Sequence, residues 1–143
     1  MSSSRSISVS RLIHAPASRI FDLLADPRQH VLLDGSGSVS SVKSAPERLA
    51  LGSTFSMRMK IGLGYVTRNR VVVFEENRAI AWHHFALFIW RYDLEEVDGG
   101  TLVTETFDYE RPWAFAIIAL GFPERNRRGM EGTLERLSAA VTA

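Results

Sequence analysis

The amino-acid sequence predicts an α+β fold in which a curved, seven-stranded antiparallel sheet wraps around one long C-terminal helix, with two short helices after the first strand. Three observations carry this expectation. Residues 39–110 read as six strand-like runs separated by turn residues. Met130, Leu134, Leu137 and Val141 recur at helical spacing. Near the N-terminus the apolar period changes once, from about two to about 3.6.

Taken in order, "SISVSRLIHA" sets Ile7, Val9 and then Leu12 at near-alternating positions, which marks a first strand. "PASRIFDLL" then carries Ile20, Phe21, Leu23 and Leu24 as a helical stripe. Pro16 suits its first turn, where a missing N–H costs nothing. Asp26 and Pro27 interrupt the stripe, so Arg28 to Leu33 is expected as a second short helix and "DGSGS", Asp34 to Ser38, as a loop. In "FSMRMKI", Phe55, Met57, Met59 and Ile61 point one way and Ser56, Arg58 and Lys60 the other. "FIWRYDLEE" repeats the pattern, with Phe88, Trp90, Tyr92 and Leu94 inward and Arg91, Asp93 and Glu95 outward. One sheet face is therefore dry and must be covered. "PERNRRGMEGTLERLSAAV", an amphipathic helix beginning near Pro123, is the element available to cover it. A curved sheet around a single helix leaves an internal space.

Composition narrows the function. A chain of 143 residues, 45% hydrophobic and 23% charged, fits a single domain over residues 1–143. Seventeen Lys plus Arg against sixteen Asp plus Glu leave a formal charge of +1, so no global field recruits nucleic acid or an anionic membrane. The absence of cysteine removes disulfides, thiolate nucleophiles and thiolate metal ligands together. His83 and His84 are strand neighbours pointing to opposite faces, and only His14 and His30 remain besides, so no metal site is expected. "GSGS" and "GLG" lack the strand-to-helix context of a phosphate-binding loop. Arg125, Arg127 and Arg128 are balanced by Glu124, Glu131 and Glu135, the pattern of a solvated helix face rather than a nucleic-acid site. The run Trp113 to Leu120 is far shorter than the roughly 20 apolar residues of a membrane span. The opening "MSSSRSISVS" has one Arg and no long apolar core, so neither export nor membrane insertion is expected, and the expected location is cytoplasmic.

Turn lengths predict which side chains share the inner face, because directly opposed residues of an antiparallel pair face the same side. A two-residue turn at Asp98 and Gly99 pairs Val97 with Gly100, Leu94 with Val103, Tyr92 with Glu105 and Trp90 with Phe107. A loop at Phe85 to Leu87 sets His84 opposite Phe88 and Trp82 opposite Trp90. With Glu76 and Asn77 as a turn, Val71 meets Trp82 and Asn69 meets His84. A two-residue turn at Leu63 and Gly64 contradicts this by sending Arg68 inward, and a bulge among Gly62 to Tyr65 is the expected repair.

Four segments, "HAPASRIFDLLADP", "VVVFEENRAIAWHHF", "WRYDLEEVDGGTLVTETFDY" and "FPERNRRGMEGTLERL", carry a resemblance over nearly the whole chain. The sequence resembles the START-like, or SRPBCC, superfamily in its polyketide cyclase/dehydrase-like branch, whose helix-grip fold is shared with Bet v 1. It departs from that branch in having Leu32 and Leu33 before Asp34, where an aromatic residue is common. The resemblance implies a ligand cavity between sheet and closing helix, with no metal or organic cofactor. It implies no single activity, since the superfamily includes lipid carriers, hormone receptors, cyclases, chaperone cofactors and oxygenase domains.

The candidate ligand-binding residues are Met57, Met59, Asn69, Val71, Trp82, Trp90 and Phe107 on the sheet. Asn126 and Met130 join them from the closing helix, and Phe115 and Ile118 from the apolar run, which is expected to act as a lid or as a homodimer patch. The partner implied is a small hydrophobic or aromatic molecule. Glu105, His84 and Tyr92 are the candidate catalytic residues, because a carboxyl in an apolar cavity is pushed toward neutrality and a nearby imidazole can move a proton. The alternative leaves Glu105 bonded to Tyr92 and His84 to Asn69, in a carrier without chemistry or a plain core.

Overall fold

The computed structural model describes residues 6–37, 39–61, 63–83, 88–112, 118 and 121–142, without the side chains of 61, 63, 122 and 123. Strand β1 (Ser6–Ile13) leads into helices α1 (Ala17–Leu24) and α2 (Gln29–Leu33). Strands β2 (Val39–Ser44), β3 (Thr54–Ile61), β4 (Leu63–Glu75), β5 (Ala79–His83), β6 (Ile89–Val97) and β7 (Gly100–Asp108) follow, and α3 (Phe122–Thr142) closes the chain. The seven strands form one antiparallel sheet in the order β1-β7-β6-β5-β4-β3-β2, so the first strand returns to lie beside the last. The predicted fold class is the observed one.

Helix α1 forms because Ala17, Ile20, Phe21 and Leu24 fall at i, i+3, i+4 and i+7 and bury one stripe. Pro16 stands at its N-cap with extended backbone. In α3, Met130, Leu134, Leu137 and Val141 are all buried, while Glu124, Arg128, Glu131 and Glu135 on the other side are exposed. Each fully buried Leu or Phe contributes about 1.5–3 kcal/mol relative to exposure, enough for this stripe to hold the helix on the sheet.

The register of β6 and β7 is the one counted from the Asp98–Gly99 turn: Trp90 opposes Phe107, Tyr92 opposes Glu105 and Leu94 opposes Val103. Gly99 has a φ of 86°, which the turn requires. Trp82 opposes Trp90 across β5 and β6. Val71 does oppose Trp82, but by two departures that offset each other. The β4–β5 turn is one residue longer than expected, with Glu75 opposite Ala79 and Asn77 at a φ of 63°. The register then slips back by one between Val71 and Val73.

Two local expectations are corrected. No bulge repairs the β3–β4 pair: Ile61 lies opposite Leu63, Met59 opposite Tyr65 and Phe55 opposite Asn69, without a register shift. A tighter connection supplies the right parity by itself. In β1, Leu12 is exposed and Ile13 is buried, because the sheet's alternation runs through Ile7, Val9 and Ile13.

Candidate functional site

The buried apolar residues separate into two clusters. The larger includes Phe55, Trp82 and Tyr92 along with α1, and the smaller is built on Ile7, Phe88, Phe107 and Met130. Between them lies a cavity of about 560 Å³ that members of both clusters line. Its volume falls in the usual range for small-molecule sites.

Strand alternation places the walls. Met57 and Met59 of β3, Trp82 of β5, Trp90 of β6 and Phe107 of β7 all line the cavity. The Trp90 and Phe107 rings lie 4.5 Å apart, and Trp82 stands 5.8 Å from Tyr92. Asn69 also lines the space, its amide donating to the Phe55 carbonyl at 3.4 Å and the Thr67 hydroxyl at 3.5 Å. From α3, Asn126 and Met130 form the opposite wall. Val71 is buried in the core opposite Trp82 and is not among the residues lining the cavity. Ile118 is exposed and is not among the residues lining the cavity. His84 and Phe115, with most of the Trp113 to Leu120 run, lie outside the described residues.

The strongest electrostatic feature is Glu105. It is 2% exposed, and the Tyr92 hydroxyl hydrogen-bonds its carboxyl. Its Oε1 has no hydrogen-bond partner among the described residues. Burial pushes the carboxyl up to about 8; the Tyr92 bond opposes this and the Asp34 charge reinforces it. Tyr92 is itself held well above its ordinary value by burial, then by Glu105. At neutral pH the pair is therefore a carboxylic acid and a phenol, two neutral groups beside an apolar space.

His30 was not among the candidate site residues. Its imidazole lines the cavity, stacks on Trp82 at 5.0 Å and meets Phe55 edge-on. Nε2 lies 2.8 Å from the Leu24 carbonyl oxygen, which only accepts, so Nε2 carries the hydrogen and a neutral ring keeps its Nδ1 lone pair. Burial lowers its pKa. The signal was its place in α2 one turn before the "DGSGS" loop, which only the folded chain brings over Trp82.

That loop is the remaining wall. Asp34 accepts from the Ser36 hydroxyl at 2.7 Å and the Val39 N–H at 2.9 Å, fixing the turn. The Gly35 N–H donates to the Thr133 hydroxyl at 2.9 Å, and Arg136 donates to the Asp34 carbonyl at 2.7 Å. A Cβ at Gly35 would strike the Gly129 carbonyl and the Thr133 nitrogen, so backbone meets backbone here.

A sheet gripping a helix around an aromatic cavity with a buried acid defines a helix-grip domain. Residues 4–142 match the family described as "Polyketide cyclase / dehydrase and lipid transport", and the chain belongs to that family. It is 39% identical over 142 residues to the uncharacterized protein Rv0088 of Mycobacterium tuberculosis, covering 94% of this chain and 62% of that one. The chain thus spans less than two thirds of that relative's length. Among solved structures it is similar to protein NE0264 of Nitrosomonas europaea, with TM-score 0.71, 15% identity and coverage of 97% and 95% of the two chains. The Aha1 dimer of Colwellia psychrerythraea matches with TM-score 0.66 at 17% identity, covering 95% of each chain. No helix among the described residues is long and apolar enough to cross a membrane.

Proposed function

We propose that the protein binds a small, flat, largely apolar organic molecule between sheet and closing helix. One observation carries this reading: a cavity of about 560 Å³ with aromatic walls holds a buried carboxyl with one oxygen unsatisfied among the described residues. A buried polar atom without a partner is costly, and a ligand oxygen would remove that cost. The family description, naming both a cyclase/dehydrase and lipid transport, supports a ligand without choosing between chemistry and carriage.

The environments of Glu105 and His30 favour chemistry as the second reading. One group is an acid held protonated near neutrality and the other a base held neutral, and both line one cavity. In a dehydration, His30 Nδ1 takes a proton from the carbon beside a carbonyl and the electron pair forms the C=C bond. The C–O bond breaks, and the departing hydroxyl receives the Glu105 proton and leaves as water. The Tyr92 hydroxyl stabilises the carboxylate left behind, and solvent resets both groups. His84, the sequence-based candidate, remains a further proton carrier in this scheme.

Incubating the protein with cell extract, then releasing and weighing the captured molecules by mass spectrometry, tests the binding reading. Recovery of an aromatic or polyketide-like compound is expected, and no enrichment over a heat-denatured control overturns it. Incubating the recovered compound with wild type and Glu105→Gln then separates the two uses. Mass loss of one water with wild type alone marks an enzyme, and an unchanged compound in both marks a carrier.

A further inference from the structure

The charge of the cavity wall goes beyond the presence of a ligand to its class. Two acidic side chains, Asp34 and Glu105, line the cavity, and no Lys or Arg does so among the described residues. Arg136 donates to the Asp34 backbone carbonyl and Arg125 acts on Tyr65, but neither side chain lines the cavity. His30 is neutral in the resting protein and offers no standing counter-charge, because its Nε2–H is committed to the Leu24 carbonyl and burial disfavours a second proton. We propose that this cavity admits uncharged aromatic ligands bearing a hydrogen-bond-accepting oxygen or nitrogen and excludes anions of the same skeleton; this rests on the ligand-binding reading above.

The physical argument has two parts. An anion entering the cavity gives up its hydration, and no described cationic side chain on the wall replaces it. It also meets the Asp34 charge in a medium where Coulomb interactions are stronger than in water. A neutral acceptor meets neither obstacle, and Glu105 while protonated offers it a hydrogen at Oε1. Among the described residues, the titratable groups acting on Glu105 are Tyr92 on β6 and Asp34 from the loop after α2, and neither brings positive charge. As pH rises through about 8, Glu105 ionises, its donor is lost and a second negative charge appears on the wall. Discrimination against anions therefore sharpens with pH.

N-phenyl-1-naphthylamine and 8-anilinonaphthalene-1-sulfonate share one aromatic skeleton and differ by a sulfonate, so their affinity ratio isolates the charge. Binding is read by probe emission together with quenching of tryptophan, since Trp82 and Trp90 line the cavity. The neutral probe is expected to bind wild type at least about tenfold more tightly at pH 6.5, a modest penalty for one uncompensated charge. The ratio is expected to widen at pH 9 in wild type and to stay flat in Glu105→Gln, which keeps a donor but does not titrate. Equal affinities, or tighter binding of the sulfonate, overturn the inference while leaving the cavity reading in place. Failure of both probes to quench tryptophan overturns the cavity reading instead.

Discussion

Replacing Glu105 by Gln should change how the stability of the protein depends on pH. The carboxyl ordinarily titrates at 4.5 and is pushed up to about 8 in the folded protein, chiefly by burial. A group whose folded value lies above its unfolded one costs nothing at pH values below both, because it is protonated in both states. Between about 4.5 and about 8 the unfolded chain ionises while the folded one does not, and stability falls. Above about 8 the loss is complete. At about 1.4 kcal/mol for each pH unit, the gap between the two values corresponds to roughly 5 kcal/mol. Glutamine has the same shape, accepts the Tyr92 hydrogen bond and cannot ionise. Urea denaturation of both proteins at pH 4.5, 6.5 and 9 is the assay. The two should be nearly equal at the lowest pH, with the variant more stable by several kcal/mol at the highest. Parallel curves across that range would refute the assignment, meaning that Glu105 is solvated or compensated in the folded protein.

Two further substitutions test the frame of the cavity. Leu134→Ala removes a side chain that is 2% exposed in the stripe of α3, and should cost about 2–5 kcal/mol in chemical denaturation; a change near zero would mean that the helix does not grip the sheet. Gly35→Ala drives a methyl group against the backbone of α3 and should lower stability by about 1–3 kcal/mol, measured by thermal unfolding. An unchanged melting temperature would show that the loop does not rest on the helix.

The residue pattern disclosed the sheet more fully than the site. Alternation in β3 and β6 identified the inner face because one side of each strand is wet, and the Asp98–Gly99 turn then fixed the partners of Trp90, Tyr92 and Leu94. That logic depends on turn length, which composition specifies poorly where several loop types accept the same residues. The β4–β5 pair shows how this can mislead, since the long turn at Asn77 and the slip beyond Val71 are each invisible in sequence yet offset each other at Trp82. Val71 is buried, but inward parity does not distinguish a residue packed within the core from one facing an empty space. His30 was illegible for a different reason. Its role follows from the stacking of α2 over Trp82, a contact between residues far apart in sequence and set by packing rather than by any local pattern.

The two glycines in the middle of α3 have a consequence for how the cavity opens. Gly129 and Gly132 each weaken their turn of helix by about 1 kcal/mol relative to alanine, and they do so where the Gly35 backbone rests. The Thr133 hydroxyl accepts the Gly35 N–H and donates to the Gly129 carbonyl at 3.0 Å, joining that weak turn to the loop through one atom. The docked loop thus acts as a splint on a deliberately soft stretch of helix. Release of the loop removes the splint, so loosening of the wall and fraying of this turn are a single event rather than two. Hydrogen exchange at residues 129–133 would then report the breathing of the cavity from the side of the helix, with no need to observe the ligand.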